Sequence, residues 1–136
     1  MLDKAVVMML LENTGITLYM TLVSTLAAYV LGLPMGIALV ITAEDGLRPN
    51  KLIYKLIDII VNVVRSVPFL ILLILVIPLT RAIVGKAYGP TATIVPLVLA
   101  AAPFIARMVE SSLLEVDKGV IEAAQSMGAG LFTIIW

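Results

Sequence analysis

The feature that most constrains this chain is a run of 31 residues without a charge, between Glu12 and Glu44. About 20 apolar residues cross the hydrocarbon core of a bilayer as an α-helix, so the run predicts a first membrane span over about residues 14–43. A cleaved signal peptide is the competing interpretation. It is disfavoured because Asp3 offsets Lys4, Glu12 interrupts the segment, and the apolar run is too long.

The composition points the same way. Of the 136 residues, 62% are apolar and 13% are charged, against roughly 45–50% and 25% in soluble domains. A soluble domain of this size could not bury so much apolar surface. The nine basic and nine acidic residues leave no basic footprint for nucleic acid. Without His or Cys, the chain has no disulfide, no imidazole or thiolate metal ligand and no Ser-His or Cys-His nucleophile pair. The sequence thus predicts an all-α membrane bundle with no catalytic or metal site.

The second apolar segment follows a polar stripe. Its uncharged run, residues 66–80, has only 15 residues and is too short to span alone. Upstream, polar residues recur at helical intervals of four and three, which places them on one face of a helix. They are Lys51, Lys55, Asp58, Asn62 and Arg65. An amphipathic helix beginning near Pro49 is therefore predicted to continue into the apolar run, kinked at Pro68, as a second span over about 52–80.

The stripe has two interpretations. In the first, its lysine and arginine side chains cover the cytosolic end of a span and reach the headgroups. In the second, Asn62 and Arg65 line a hydrated pathway between subunits, because an arginine inside a span costs at least about 2.5–3.5 kcal/mol and avoids lipid. The sequence leaves both open.

A third span is predicted over about residues 87–109, where 20 residues from Ala87 to Ala106 carry no charge. Lysine and arginine residues outside the spans favour the side that holds the first loop and the C-terminal stretch, by five to three. The positive-inside bias then predicts an external N-terminus and a cytoplasmic C-terminal stretch.

Small residues recur every four positions in the first span: Ser24, Ala28, Gly32 and Gly36. This pattern predicts close packing against another helix, in this chain or in a second copy. The alternative is that glycine is simply common in membrane helices and gives flexibility beside Pro34.

The composition changes after the third span. Helical character continues through Leu114, with Arg107 and Glu110 one turn apart. Asp117 is a predicted N-cap for a short helix over about 118–127, and Gly128 suits its C-terminal end. So short a helix is marginal alone in water, so we expect contact with a partner to stabilise it.

This helix contains Glu122-Ala123-Ala124, three further residues and then Gly128. The pattern resembles the EAA motif (EAA-x-x-x-G) of ABC-importer permease subunits. The runs VPFLILLILVIPLTRAIVG at 67–85 and VPLVLAAAPFIARMVESSLLEV at 95–116 resemble the permeases of methionine ABC importers, and the likeness extends from about Thr14 onward. Alanine-rich helices reach the motif alone by chance, but its position just after a span gives it weight.

The resemblance implies an ABC-importer permease fold whose coupling region, about residues 117–136, docks on a cytoplasmic ABC ATPase. It also implies a second permease copy, an external substrate-binding lipoprotein and a place in the bacterial inner membrane. The ATPase would use ATP and Mg²⁺, while this chain binds no cofactor and is not an enzyme. The residues implied at the ATPase interface are Glu122, Ala123, Ala124, Gly128 and Ala129.

One departure concerns length. The family motif continues to an apolar-x-Leu-Pro sequence, but the chain ends at Trp136 before it. Residues 1–136 therefore resemble the N-terminal portion of a permease domain, truncated at its C-terminus.

Two classes of function remain at this point. The first is a permease subunit for D- or L-methionine, a related amino acid or a different small solute, in which the EAA helix couples ATPase motion to alternating access. The second is a small membrane interaction or assembly protein that transports nothing. No substrate-binding residue is recognisable in the three predicted spans.

Overall fold

The computed structural model describes residues 3–136, and every regular element within that range is an α-helix, which confirms the all-α class. The helices are α1 (Lys4–Thr42), α2 (Lys51–Ser66), α3 (Phe69–Leu75), α4 (Ile77–Val84), α5 (Pro90–Leu114), α6 (Lys118–Ser126) and α7 (Leu131–Ile135). By length and composition, α1 and α5 could each cross a membrane, and α2 with α3 could form a third, bent span.

The core of the molecule is the contact between α1 and α5. Gly32 lies against Ala102 and Ile105, and Gly36 lies against Ala106 and Val109. A step towards the C-terminus of α1 is thus matched by a step towards the C-terminus of α5. The two helices are therefore parallel, and their C-terminal ends lie at the same end of the bundle. The segment α2–α4 is the return path between them.

The four small residues of α1, Ser24, Ala28, Gly32 and Gly36, are all buried. A Cβ atom at Gly32 would lie 2.7 Å from the Ala102 carbonyl oxygen. The structure therefore packs Gly32 and Gly36 of this ridge against α5 of the same chain, so closely that a larger side chain at either position would clash.

The second apolar segment is broken rather than kinked. The sequence predicts one helix through Pro68, but α2 ends at Ser66, α3 begins at Phe69, and their axes differ by 109°. Proline lacks an N–H and pushes the preceding residue out of helical geometry. Val67 accordingly has φ −80° and ψ 125°, which is extended backbone. The helix path is interrupted again at Val76, and α4 begins at the next residue, Ile77.

The other helix ends follow local signals. The Asn50 side chain caps α2 by accepting hydrogen bonds from the N–H groups of Leu52 and Ile53, at 3.1 and 3.2 Å. Helix α5 begins at Pro90, three residues after the predicted start of the third span, and continues through Leu114 as predicted, with Pro96 and Pro103 buried inside it. The first helix starts at Lys4, well before the predicted span, because no proline interrupts that stretch.

Candidate functional site

Helix α6, which contains the EAA motif, is a separate short element at the end of α5. Asp117 Oδ1 accepts a hydrogen bond from the Gly119 N–H at 2.8 Å, which confirms the predicted N-cap. At the other end Gly128 has φ +83°, a left-handed conformation that glycine adopts without strain. Both ends of the helix are thus set by the residues that the sequence singled out.

The motif side chains lie on an open surface. No residue of α6 is buried, and Glu122 and Ala123 are exposed. Ala124 and Ala129 are half-buried, and the Ala129 N–H donates to the Ala124 carbonyl at 3.0 Å, while Gly128 is exposed. The apolar side chains of Val120 and Met127 are 63% and 84% exposed. This surface offers apolar area and one carboxylate to a partner.

An ion pair ties α6 to the loop after α1. Lys118 Nζ lies 2.7 Å from Asp45 Oδ2, across 73 residues of sequence. The hydrogen bond from Lys118 lowers the pKa of Asp45, and the same contact raises the pKa of Lys118. Both side chains are exposed, so the pair orients α6 more than it stabilises the fold.

The contact between Lys118 and Asp45 is expected to depend on pH. Because the pKa of Asp45 is depressed, the contact persists above the ordinary carboxyl range and is lost as pH falls through that depressed pKa. Because the pKa of Lys118 is raised, it is also lost when pH rises through that raised value. Spin labels at Arg48 and Val120 should report a broader distance distribution in acid. The variant Asp45→Asn should be broad at every pH, and an acid response that it leaves unchanged would contradict the assignment.

The polar stripe of α2 meets α5 in a cluster of four side chains, the α2–α5 clamp: Asp58, Asn62, Arg107 and Glu110. The Arg107 guanidinium donates to Glu110 Oε2 at 2.7 Å and to Asn62 Oδ1 at 2.8 Å, and it also pairs with Asp58. The Asn62 amide donates to Asp58 Oδ2 at 3.3 Å. Arg107 and Glu110, which the sequence places one turn apart, are in contact, and the additional link to α2 is not among the sequence predictions.

A signal for this link exists in the sequence. Asp58 is the only acidic residue between Asp45 and Glu110, and it lies on the polar stripe of the predicted amphipathic helix. An arginine beside an apolar segment is commonly paired with a carboxylate. Pairing Asp58 with Arg107 would follow from these two facts.

The structure separates the two residues predicted to line a pathway. Asn62 is held in the clamp, whereas Arg65 is exposed and has no hydrogen-bond or ion-pair partner within residues 3–136. Arg65 lines two adjacent cavities, of about 550 and 290 Å³, between the α2–α3 segment and α5.

Comparisons of this chain with a family model and with individual proteins point to the same family. Residues 28–136 match the family model described as binding-protein-dependent transport system inner membrane component. The chain is 46% identical over 134 residues to the D-methionine transport system permease protein MetI of Yersinia pestis, covering 98% of this chain and 62% of that protein. It is 47% identical over 127 residues to the probable D-methionine permease MetI of Vibrio cholerae, covering 93% and 56%.

Comparison with solved structures agrees with the sequence comparisons. Two inward-facing structures of the MetNI methionine ABC transporter contain a chain that superposes with TM-scores of 0.94 and 0.95, at 45% identity, over 98% of this chain and 62% of theirs. This chain thus spans about three-fifths of the length of the relatives that it matches. On the family match and these identities, the chain belongs to the family of binding-protein-dependent transport system inner membrane components.

Proposed function

We propose that this chain is the membrane permease subunit of an ATP-driven ABC importer for methionine or a related amino acid. The observation that carries the proposal is the EAA helix α6, a short exposed element at the end of α5 in a chain 45–47% identical to D-methionine permeases. The substrate class is inferred from those relatives. The helices of this chain transmit the motion of the ATPase from α6 to the membrane-spanning segments.

Helix α6 docks on the ABC ATPase through Glu122, Ala123, Ala124, Gly128 and Ala129. Its small side chains allow close approach, and exposed Val120 and Met127 add apolar contact area. Motion of the docked helix passes to α5 across the three residues 115–117. A rigid-body displacement of this kind is a common mode of domain coupling.

The packing around α5 determines what moves with it. Because α1 contacts α5 at backbone distance, the two helices move as one body. The α2–α5 clamp joins the amphipathic α2 to the same body, through the Arg107 guanidinium. A displacement of α6 therefore shifts the three helices together and changes access to the space between this subunit and a second permease copy.

The proposal includes the remaining partners and the orientation. An external substrate-binding lipoprotein delivers the amino acid, and the ATPase binds ATP and Mg²⁺, so this chain needs no cofactor and performs no catalysis. The end that holds α6 faces the cytoplasm and the N-terminus lies outside, in the bacterial inner membrane. The excess of lysine and arginine at the α6 end supports this orientation.

Uptake of labelled methionine tests the proposal. In a strain that lacks its own methionine importer, the complete transporter carrying this chain should restore ATP-dependent uptake of methionine, competed by unlabelled D- or L-methionine. Uptake of another amino acid instead would correct the substrate. A chain that inserts and assembles but restores no uptake of any solute would contradict the transport function and favour an assembly role.

A further inference from the structure

A cavity of about 550 Å³ lies where the chain breaks between α2 and α3. Its lining includes Val67, Phe69 and Leu72 on one side and Leu97, Ala101 and Phe104 of α5 on the other. The break turns α3 away from the α2 axis by 109°, and the opposite wall includes the small side chain of Ala101. The cavity is open to the surface of the described chain, and its volume and mostly apolar lining lie within the range of sites for small molecules.

One charged side chain enters this apolar cavity, that of Arg65. The nearby Arg107 is already neutralised by Asp58 and Glu110 and by the Asn62 amide. Arg65 lies on the same α2 stripe, one turn beyond Asn62, and has no counter-ion among residues 3–136. A guanidinium free of partners beside apolar surface is suited to a carboxylate, which it can bind through two parallel hydrogen bonds.

A second cavity, of about 290 Å³, shares Arg65 and Phe104 with the first and is also lined by Ser111 and Ser112. Ser111 and Ser112 lie further along α5, towards α6. Arg65 and Phe104 therefore lie between the cavity at the helix break and a smaller cavity nearer the end of α5 that leads to α6. This is a suitable position for a group that holds a passing solute.

We propose that the cavity at the α2–α3 break binds an α-amino acid with an apolar side chain, whose carboxylate pairs with Arg65 and whose side chain lies against Phe69 and Phe104. This inference rests on the proposed function, since it takes an amino acid as the solute. It assigns Arg65 a binding role that Asn62, held by Arg107, does not share.

A single cysteine in the cavity tests the proposal. The chain contains no cysteine, so Ala101→Cys gives one thiol in the wall, in the assembled complex of permease and ATPase in lipid nanodiscs. The rate of alkylation is read on the permease chain by mass spectrometry, with L-methionine or L-methioninamide added. L-methionine should slow alkylation several-fold. The amide lacks the carboxylate, so the concentration that gives the same protection should be about tenfold higher.

Variants of Arg65 complete the test. Arg65→Gln should raise the half-protecting concentration of L-methionine by about tenfold or more, and Arg65→Lys by less, because it keeps the charge. Arg81→Gln removes an exposed arginine of α4 outside the cavity and should leave protection unchanged. Protection that is equal with and without Arg65 would overturn the site.

The remaining outcomes separate this inference from the proposed function. If Arg65→Gln and Arg65→Lys both prevent assembly with the ATPase, Arg65 is structural and the site is overturned. Methionine uptake by the Ala101→Cys complex without any protection of the thiol would overturn the site alone. Absence of uptake by the unsubstituted complex would overturn the proposed function.

Discussion

Replacing Gly36 with alanine is expected to weaken the packing of α1 on α5 by about 1–3 kcal/mol. The new Cβ would lie 2.6 Å from the Val109 Cβ and 2.7 Å from the Ala106 carbonyl oxygen. The carbonyl belongs to the α5 backbone, so no side-chain rotation relieves the contact and the helices must separate. Between membrane helices, where lipid is as apolar as the side chains, such close packing is a main source of association.

The same helix provides a matched control at Gly15, where an added Cβ meets no atom within 4 Å. Gly15→Ala should be neutral or stabilising by up to about 1 kcal/mol, since alanine is the better helix former. Reversible unfolding of both variants in mixed micelles, followed by circular dichroism, measures the difference. If the two variants unfold alike, the backbone-level contact between α1 and α5 is wrong.

Replacing Arg107 with leucine is the second change with a large expected effect. It leaves the carboxylates of Asp58 and Glu110 without their cation, and Glu110 keeps only 14% of its side-chain area exposed. Hydrogen bonds to charged groups contribute about 1.5–3 kcal/mol, so we expect a loss of that order and a looser α2. Hydrogen exchange of the α2 amides should accelerate, while that of α1 changes little.

A double substitution distinguishes loss of the clamp from loss of side-chain volume. Adding Asp58→Asn to Arg107→Leu removes one uncompensated charge and should recover part of the stability, which gives a coupling energy within about 0.5–3 kcal/mol. Arg48→Leu, in the exposed loop before α2, is the control for removing an arginine. Strictly additive effects of Asp58→Asn and Arg107→Leu would contradict the clamp.

Helix ends and packing faces that depend on residues close together in the sequence could be predicted from it. The N-cap at Asp117 and the left-handed Gly128 depend on a few residues each, and both are found as expected. The register of small residues in α1 identified the face that packs, although only the structure places α5 on it. In these cases one local pattern carries the information.

Angles, contacts and cavities that depend on segments far apart in the sequence could not be predicted from local patterns. Pro68 predicts a kink in the helix, but the local sequence does not give the 109° change of direction between α2 and α3. The contact between Asn62 and Arg107 joins residues 45 positions apart. Helical periodicity could therefore predict the face of α2 on which Asn62 lies, but not the residue that it contacts. The cavity beside Arg65 exists only because the break and the alanines of α5 face each other.

Capture of an ABC ATPase by the complete permease is the most direct test of the proposed coupling role of α6. Glu122→Lys reverses the charge of the exposed motif carboxylate, and Ala124→Glu adds bulk and charge at a half-buried position. Each should weaken ATPase binding about tenfold or more without reducing membrane insertion, because central interface residues contribute about 2 kcal/mol or more. Glu115→Lys, the same charge change at an exposed position just before α6, should bind normally. Undiminished capture by both α6 variants would contradict the coupling role.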